Sequence, residues 1–487
     1  MWNSTVHLMI RKAGERMEQS VSEALDAFLE AECTSWGVPG MALVMALRGE
    51  PAYRCLYGYR DVARRLPVTE RTVFGVASVT KSVTALAVML AQDHGKLSVD
   101  DPVVRWLPEL QGVREARMRA VTVHHLLTHT AGFPGMAALF RARAESIRKD
   151  PDWRITAAEM PDPFEVAPIR DVSGLMAVLK ELDFRFLGNP GTVFNYSNEG
   201  YALLQEILER ATGKSFLEFV QQRIFDPLGI RSAVFRTADL SRMRDVTELY
   251  AARAEDGHRI VFHSPVWWDV GDIYSNGSMK IHMADLLRYL EVYRCHGEVD
   301  GVRILSEDGW KRMTARHVQT PTGRGYGYGL HVDEHHGVNL LSHSGGIKGV
   351  SADVVVAPEA GITVAAAANV AGVPVSQWTL AALNAALGLP LDARVVDYPI
   401  QMETAGEDTG LAEYEGLYRS EEGGRAVAET AGGELWITQR GQRTRLYPYA
   451  EDGFADATRT LAVRFLRDAR GQVWGLFTGV RVLLKSS

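Results

Sequence analysis

The chain has 487 residues, of which 46% are hydrophobic and 23% are charged, and its formal net charge is −7 at pH 7. At roughly 150 residues per domain, this length predicts two to four domains with ordinary globular cores. The composition is not that of a disordered chain, and the acidic balance, 53 Lys and Arg against 60 Asp and Glu, argues against nucleic acid as a partner.

Cysteine spacing and apolar run length exclude two further classes of protein. Cys33, Cys55 and Cys295 form no CxxC pair, so neither a disulfide framework nor a thiolate metal site is predicted. The apolar stretches are far shorter than the ~20 residues that cross a bilayer. Residues 1–21 carry early charges and no cleavable apolar run, so we interpret them as an amphipathic helix rather than a signal peptide, and predict a cytoplasmic location with no membrane partner.

The predicted elements, in chain order, describe one sheet built from both ends of a large domain. Helical spacing of apolar residues predicts a helix over 14–32, and the apolar run 41–47 predicts a buried strand. A mostly helical middle follows from about 77 to 320. Strands are expected at 327–332, 338–342, 350–356 and 362–368, followed by a helix at about 375–387. Strands on either side of a helical middle predict an α+β fold with a helical lobe beside the sheet.

The last part of the chain predicts a second domain. Residues 389–410 contain two prolines, two glycines and several acidic residues, which is typical of a linker. Short strands separated by glycine turns follow, as in the alternating Leu461, Val463 and Phe465, and predict a small all-β barrel or sandwich. We therefore divide the chain into a first domain at 1–395, a linker at 396–410 and a β-domain at 411–487.

Ser78 and Lys81 are the first candidate catalytic residues. They stand three residues apart before the continuously apolar run 85–91, so their side chains share one face at the start of a buried helix. A lysine in a largely buried site loses solvation, which lowers its pKa and lets it act as a base for the poorly nucleophilic serine hydroxyl. Taken alone, the pair also fits a capped helix with a surface lysine.

A second motif places Tyr196 and Asn198 two residues apart on a loop after the turn at 189–191. A phenol there can relay a proton, and an amide can hold a substrate carbonyl and the lysine. The alternative is a packing tyrosine followed by a helix N-cap at Ser197 or Asn198.

A third motif ends an apolar strand with His343, followed by the small residues Ser344, Gly345 and Gly346. Small residues let a substrate backbone lie against the strand. The alternative is a hairpin turn with an incidental histidine.

In this order the motifs S-x-x-K, Y-x-N and H-x-G resemble the serine β-lactamase and penicillin-binding-protein-like superfamily, in the branch with class C β-lactamases, family VIII esterases and D-aminopeptidases. The resemblance covers about 20–390 and implies an antiparallel sheet flanked by helices. Residues 411–487 resemble the lipocalin-like domain of some members, through 414–418. Further similar stretches are 95–102, 121–132, 190–201, 212–216 and 227–229.

The resemblance also implies roles for the site residues. Ser78 would be acylated, and Lys81 would take its proton with Tyr196 as partner or alternative base. Asn198 would hold the substrate amide and orient Lys81, and the backbone N–H groups of Ser78 and Gly346 would form the oxyanion hole. The predicted substrate-binding residues are Asn198, His343, Ser344, Gly345, Gly346 and Tyr328, the last of these as lining of the acyl pocket.

His343 departs from the penicillin-recognising pattern, which has lysine at this position. A histidine is mostly neutral at pH 7, so weak recognition of a free carboxylate is expected, which favours an esterase or a D-aminopeptidase-like amidase over a β-lactamase. The predicted function is serine hydrolysis of an amide or ester in a short or D-residue peptide or a small carboxylic ester. The alternatives are an acyltransferase or a penicillin-binding-protein-type thioesterase or cyclase, a β-lactamase, and a non-catalytic penicillin-binding sensor.

No cofactor is predicted, and the histidines at 124, 125 and 129 are interpreted as structural rather than as metal ligands. The expected partner is a small-molecule or short-peptide substrate, and a homo-oligomer is left open. Residues 136–188 look longer than the usual family connection and are interpreted as a lid or specificity element, or as a surface excursion. Trp267 and Trp268 either close the cleft or fill the core.

Overall fold

The computed structural model describes residues 17–156, 160, 162–402 and 410–486. Its α-helices are α1 (Gln19–Ser35), α2 (Thr80–Asp93), α3 (Val103–Trp106), α4 (Val123–Leu127), α5 (Ala138–Ile147), α6 (Trp153–Thr156), α7 (Val172–Glu181), α8 (Asn198–Thr212), α9 (Phe216–Val220), α10 (Asp226–Leu228), α11 (Met283–Arg294), α12 (Glu307–Thr314) and α13 (Val375–Leu387). The 3-10 turns are Ala77–Val79, Pro108–Gly112, Ala116–Ala120, Thr237–Arg242 and Leu411–Tyr414, and Gln221–Phe225 is π-helical.

The strands of the first part of the chain are β1 (Gly40–Leu47), β2 (Glu50–Asp61), β3 (Leu66–Pro67), β4 (Val73–Gly75), β5 (Tyr250–Glu255), β6 (His258–His263), β7 (Lys280–His282), β8 (Glu298–Val299), β9 (Val302–Arg303), β10 (Val318–Gln319), β11 (Gly325–Tyr326), β12 (His331–His335), β13 (Val338–Ile347), β14 (Val350–Ala357) and β15 (Ile362–Ala368). The later strands are β16 (Gly416–Arg419), β17 (Arg425–Ala431), β18 (Glu434–Gln439), β19 (Gln442–Ala450), β20 (Gly453–Ala455), β21 (Ala462–Arg467), β22 (Val473–Thr478) and β23 (Arg481–Lys485).

The main sheet joins the two ends of the first domain, as the sequence predicts. Its strand order is β10-β11-β12-β13-β14-β15-β1-β2-β3, and β1 pairs with β15 in antiparallel register. β1 and β15 are buried along almost their whole length because α1 and α13 cover one face and α2 and α11 the other. This double burial explains why their sequences read as continuous apolar runs without alternation.

The predicted helical middle is incomplete, because three short strand pairs interrupt it: β4–β7, β5–β6 and β8–β9. The predicted strand at 327–332 is also wrong, since β11 ends at Tyr326 and β12 begins at His331. Gly329 turns the chain between them with φ +71°, and a Cβ there would lie 2.7 Å from the Lys81 carbonyl oxygen. The close approach to α2 replaces strand with turn at this point.

In the described part of the chain, helix α1 runs from Gln19 to Ser35, and residues 1–16 of the predicted N-terminal helix lie outside the described residues. No helix in the described part of the chain is long and apolar enough to span a bilayer.

The described residues between 136 and 188 pack into the first domain, and the half-buried Trp268 packs against a small apolar cluster among them. Leu139 and Ala142 of α5 join the main apolar core, while Phe140 and Trp153 form a smaller cluster against which Trp268 packs. The indole N–H of Trp268 donates to Asp150 at 2.7 Å.

The strands after residue 411 close into an eight-stranded antiparallel barrel, which confirms the all-β prediction. The order runs from β16 to β23, and β16 pairs with β23 to complete the circle. Buried core residues alternate with more exposed ones along β21, where Val463 and Phe465 are buried.

Candidate active site

Ser78 lies in a strained turn at the start of α2. The 3-10 turn Ala77–Val79 leads directly into the helix, and Ala77 has φ +43°, a conformation that costs a residue with a Cβ of order 1–3 kcal/mol. The Thr80 hydroxyl donates to the Ala77 carbonyl at 2.6 Å and accepts from the Met279 amide at 3.1 Å. These bonds hold the turn that carries the serine.

Lys81 brings the first two motifs into contact. Its Nζ lies 3.2 Å from Ser78 Oγ and 2.9 Å from Asn198 Oδ1, and it also donates to the backbone carbonyl of Asn276. The side chain is completely buried, and all three acceptors are neutral oxygens. The capped helix with a surface lysine is therefore not what the structure contains.

The surroundings of Lys81 favour the free amine. Burial is the main reason why the pKa of Lys81 lies well below its ordinary value, and the guanidiniums of Arg481 and Arg143 lower it further. The carboxylates of Glu199 and Glu422 act in the opposite direction on this pKa. Burial dominates because, among the residues that the structure describes, Lys81 Nζ donates only to neutral oxygens.

Tyr196 and Asn198 stand at the N-terminus of α8, where the predicted N-cap at Ser197 is present. Ser197 caps the helix by accepting from the Gly200 amide at 3.0 Å, and the Ser197 amide donates to His129 Nδ1 at 3.0 Å. The cap turns Tyr196 and Asn198 toward Lys81.

The phenol of Tyr196 is buried, and its hydroxyl has no hydrogen-bond partner among the described residues. Lys81 Nζ lies 4.8 Å from the ring centre, and the guanidinium carbon of Arg481 lies 4.6 Å from it. Burial raises the pKa of this phenol, so it keeps its proton at neutral pH.

The third motif borders the cleft with a free strand edge. β12 pairs with β13 only as far as Ser342, so residues 343–347 have β14 on one side and no strand on the other. A Cβ at Gly345 would lie 2.1 Å from the Val76 carbonyl oxygen and 3.0 Å from the Ser78 amide nitrogen. Only glycine allows this edge to run against the Ser78 turn.

His343 is neutral in this structure. Its Nδ1 donates to the Ser344 carbonyl at 2.7 Å, and its Nε2 accepts from the Tyr326 hydroxyl at 3.3 Å. The same hydroxyl accepts from His129 Nε2 at 3.2 Å, since His129 Nδ1 is already used as an acceptor. Burial sets the pKa of His343 well below its ordinary value, and Lys81 lowers it further. The third motif therefore offers no cation.

Six of the predicted residues line one cavity of about 990 Å³: Ser78, Tyr196, Asn198, His343, Ser344 and Gly346. The prediction that Tyr328 lines the acyl pocket is wrong. Its ring is completely buried, stacks on His317 at 4.4 Å and hydrogen-bonds His124 at 2.7 Å, because the turn at Gly329 carries it into the core beside α2. Tyr326, two residues earlier, is the aromatic residue next to His343.

Sequence reasoning missed the other wall of this cavity, which the C-terminal barrel supplies. Glu422 and Arg481 lie on this wall, together with the turn at Gly479 and Val480. The two side chains form an ion pair of 2.8 Å. No local pattern marks them, because surface Arg and Glu are common in hairpins and only the docking of the barrel makes them part of the cleft.

Comparisons with known proteins agree with this geometry. A family model described as Beta-lactamase matches residues 21–387. The chain is 26% identical over 432 residues to a penicillin-binding protein of Bacillus subtilis, covering 86% of this chain and 88% of that protein. It is 27% identical over 336 residues to a D-aminopeptidase of Gluconobacter oxydans, covering 68% and 56%, and 32% identical over 224 residues to esterase EstB of Burkholderia gladioli, covering 46% and 54%.

Among solved structures, the octameric penicillin-binding protein homologue from Pyrococcus abyssi superimposes with a TM-score of 0.68 at 27% identity, covering 95% of this chain and 99% of that one. This match includes the barrel, whereas the chain spans only about half the length of the aminopeptidase and the esterase.

Proposed function

The chain belongs to the beta-lactamase family, and we propose that it is a serine hydrolase that cleaves an amide or ester bond through an acyl-enzyme on Ser78. The observation that carries this proposal is the contact of Lys81 Nζ with both Ser78 Oγ, at 3.2 Å, and Asn198 Oδ1, at 2.9 Å, in a cleft that Tyr196 and the β13 edge complete.

In the first step, the neutral amine of Lys81 accepts the proton of the Ser78 hydroxyl as Oγ attacks the substrate carbonyl carbon. The opposite pKa shifts of Lys81 and Tyr196 support this assignment over a phenolate base. A phenol whose pKa is raised stays protonated at neutral pH, whereas an amine whose pKa is lowered is ready to accept a proton.

In the second step, the C–N or C–O bond to the leaving group breaks, and the leaving atom receives a proton. Tyr196 is suited to deliver it, because its side chain lines the cleft next to Ser78 and burial keeps the proton on its hydroxyl. The proton on Lys81 then replaces the one given by Tyr196. Deacylation by water runs through the same groups in reverse order.

The oxyanion of each tetrahedral intermediate accepts from the backbone N–H groups of Ser78 and Gly346. The contact between Gly345 and the Ser78 turn supports this pairing, because it brings the two segments together. One such donor is worth about 3 kcal/mol in the transition state.

The neutral, buried His343 supports a substrate whose recognition does not depend on a free carboxylate at this edge. Short or D-residue peptides and small carboxylic esters fit this description, and the names of the aminopeptidase and esterase relatives agree with it. Transfer of the acyl group to an amine or alcohol stays an alternative, since a cavity of about 990 Å³ has room for a second reactant.

Replacing the nucleophile tests the proposal directly. Ser78→Ala should lower the turnover of both p-nitrophenyl acetate and a D-alanyl anilide by about 10⁴-fold or more, and should abolish the acyl-enzyme mass that the unmodified protein forms. Ser241→Ala, at an exposed serine outside the cleft, is the matched control and should behave as the parent. Turnover of either substrate retained in Ser78→Ala would contradict the assignment.

Self-association is proposed on the likeness to the octameric penicillin-binding protein homologue from Pyrococcus abyssi. Light scattering of the purified protein measures the mass of the assembly directly.

A further inference from the structure

One hairpin of the barrel is joined to the backbone that carries Tyr196. The Tyr196 amide donates to the Val480 carbonyl at 3.1 Å, and the Val482 amide donates to Asn195 Oδ1 at 2.8 Å. Between these two bonds, Arg481 donates to the Tyr196 carbonyl at 2.5 Å. The residue proposed to move the proton is thus held on both backbone groups by the barrel.

The same arginine also contacts the side chain of Tyr196. Its guanidinium carbon lies 4.6 Å from the centre of the phenol ring, within the range of a cation–π contact. Glu422 fixes the guanidinium through two bonds, at 3.1 Å from Nε and 2.8 Å from Nη2. Arg481 and Glu422 are only 22% and 18% exposed, so solvent screens their charges weakly.

We propose, on the basis of the hydrolase function above, that Arg481 held by Glu422 is a positioning residue of the active site: it fixes Tyr196 against Lys81 and places a permanent positive charge beside the pair. The barrel then completes the reaction centre rather than only covering it.

The charge of Arg481 acts on the amine through a short, mostly buried distance. Lys81 Nζ and the Arg481 guanidinium carbon lie 4.8 and 4.6 Å from the Tyr196 ring centre, so at most about 10 Å separates the two cations, and at this range in a buried site they disfavour each other. Arg481 accordingly lowers the pKa of Lys81, whereas Glu422 raises it. A cation on the barrel thereby helps keep the catalytic amine unprotonated.

Other charged or titratable groups face the same centre and also contribute to the electrostatic environment of Lys81 and Tyr196. They are Glu199 and Tyr201 from α8, Arg143 from α5, His129 from the loop after α4, His343 from β13 and Tyr326 from β11. Burial and Glu422 raise the pKa of Glu199, so removing Glu422 makes Glu199 ionise more readily and partly replaces the lost charge.

Because Arg481 lowers the pKa of Lys81 and Glu422 raises it, variants at these two positions should shift the pH profile in opposite directions. In Arg481→Met the lowering cation is gone, so the pKa of Lys81 rises and the acidic limb of kcat/KM moves to higher pH by about one unit. In Glu422→Gln the raising anion is gone, so the limb moves to lower pH by about half a unit, reduced by the response of Glu199. A purely structural role would lower the rate at every pH and move neither midpoint.

The barrel provides a matched control in a second Arg–Glu pair. Arg443 pairs with Glu429 at 3.3 Å and lies 4.3 Å from the ring centre of Trp436, so it shares the chemistry of Arg481. Arg443 and Glu429 do not line the cleft. Arg443→Met should therefore leave both the rate and the midpoint unchanged.

The experiment measures kcat/KM for p-nitrophenyl acetate from pH 5 to 9, and in parallel the rate at which a fluorophosphonate probe labels Ser78. Arg481→Lys keeps the charge but loses the planar fork, so its midpoint should stay near the parent value while its rate falls several-fold. Coincident midpoints for the parent, Arg481→Met and Glu422→Gln would overturn the inference. If Arg481→Met does not fold, Glu422→Gln and Arg481→Lys decide the question.

Failure of the underlying function looks different. In that case Ser78→Ala hydrolyses the ester as fast as the parent and the probe labels no serine at position 78, whatever Arg481 does. Ser78-dependent turnover with unmoved midpoints, by contrast, removes only the role of Arg481.

Discussion

Two buried lysines in different regions of the first domain have opposite surroundings. Lys81, in the cleft, is completely buried and donates only to neutral oxygens. Lys348, at the turn between β13 and β14, is 1% exposed in its side chain, but it pairs with the buried carboxylate of Asp150 at 3.0 Å and also donates to two backbone carbonyls at 2.7 and 2.8 Å.

The comparison teaches that burial alone does not make a lysine a base. Burial lowers the pKa of both side chains, but Asp150 holds the proton on Lys348, whereas no carboxylate of the described residues bonds directly to Lys81. The ion pair of Lys348 with Asp150 links the segment that contains Asp150 to the turn after β13. The neutral surroundings of Lys81 leave its amine free to accept a proton.

Removing the amine of Lys81 should have the larger effect on catalysis. Lys81→Met keeps the length and burial of the side chain, so we expect kcat/KM to fall about 10³- to 10⁴-fold, while the free energy of unfolding stays the same or rises. Steady-state kinetics and urea denaturation measure the two quantities. Lys96→Met, at an exposed lysine just after α2, is the control, and a stable Lys81→Met variant with parental activity would contradict the base role.

Removing the amine of Lys348 should instead destabilise the fold. Lys348→Met leaves the Asp150 carboxylate buried without its cation, which typically costs about 3–5 kcal/mol of unfolding free energy. The double variant with Asp150→Asn should recover much of that loss, since no buried charge remains. Urea denaturation of both variants tests this, and a loss under about 1 kcal/mol in Lys348→Met would show that the pair is not structural.

Giving Lys81 a carboxylate should make it resemble Lys348. Asn198→Asp places an anion where Oδ1 now lies 2.9 Å from Nζ, so the pKa of Lys81 should rise by one to two units. Since the base must be unprotonated, activity at pH 7 should fall by about ten- to hundredfold and recover as the pH rises. A pH profile of kcat/KM with an unmoved acidic limb would contradict the role given to Lys81.

Much of the site could be predicted from the sequence because its parts are local. The spacing of Ser78 and Lys81 puts them on one helical face whatever the rest of the chain does, and a cap at Ser197 orients its neighbours through bonds within one turn. The continuous apolar composition of β1 and β15 likewise predicts their burial on both faces. The regularly spaced turns after residue 411 predict the barrel.

The errors lie where a distant contact overrides local pattern. The alternation of glycine and aromatic residues predicts a strand through Tyr328. Instead, the chain turns where Gly329 approaches the Lys81 carbonyl, and the Tyr328 ring lies in the core. Tyr326 takes the place beside His343 instead. Hydrophobic periodicity predicts which face of an element is buried, but it does not predict which other element covers that face.

By itself, the sequence determined which residue types are present for an acyl transfer, in which order, and on which local elements. Only the tertiary structure decided the charge that surrounds them. Whether a buried lysine meets a carboxylate or an amide, and whether an arginine of a hairpin reaches a tyrosine of another domain, depends on how separate elements dock, and docking brings together residues with no shared periodicity.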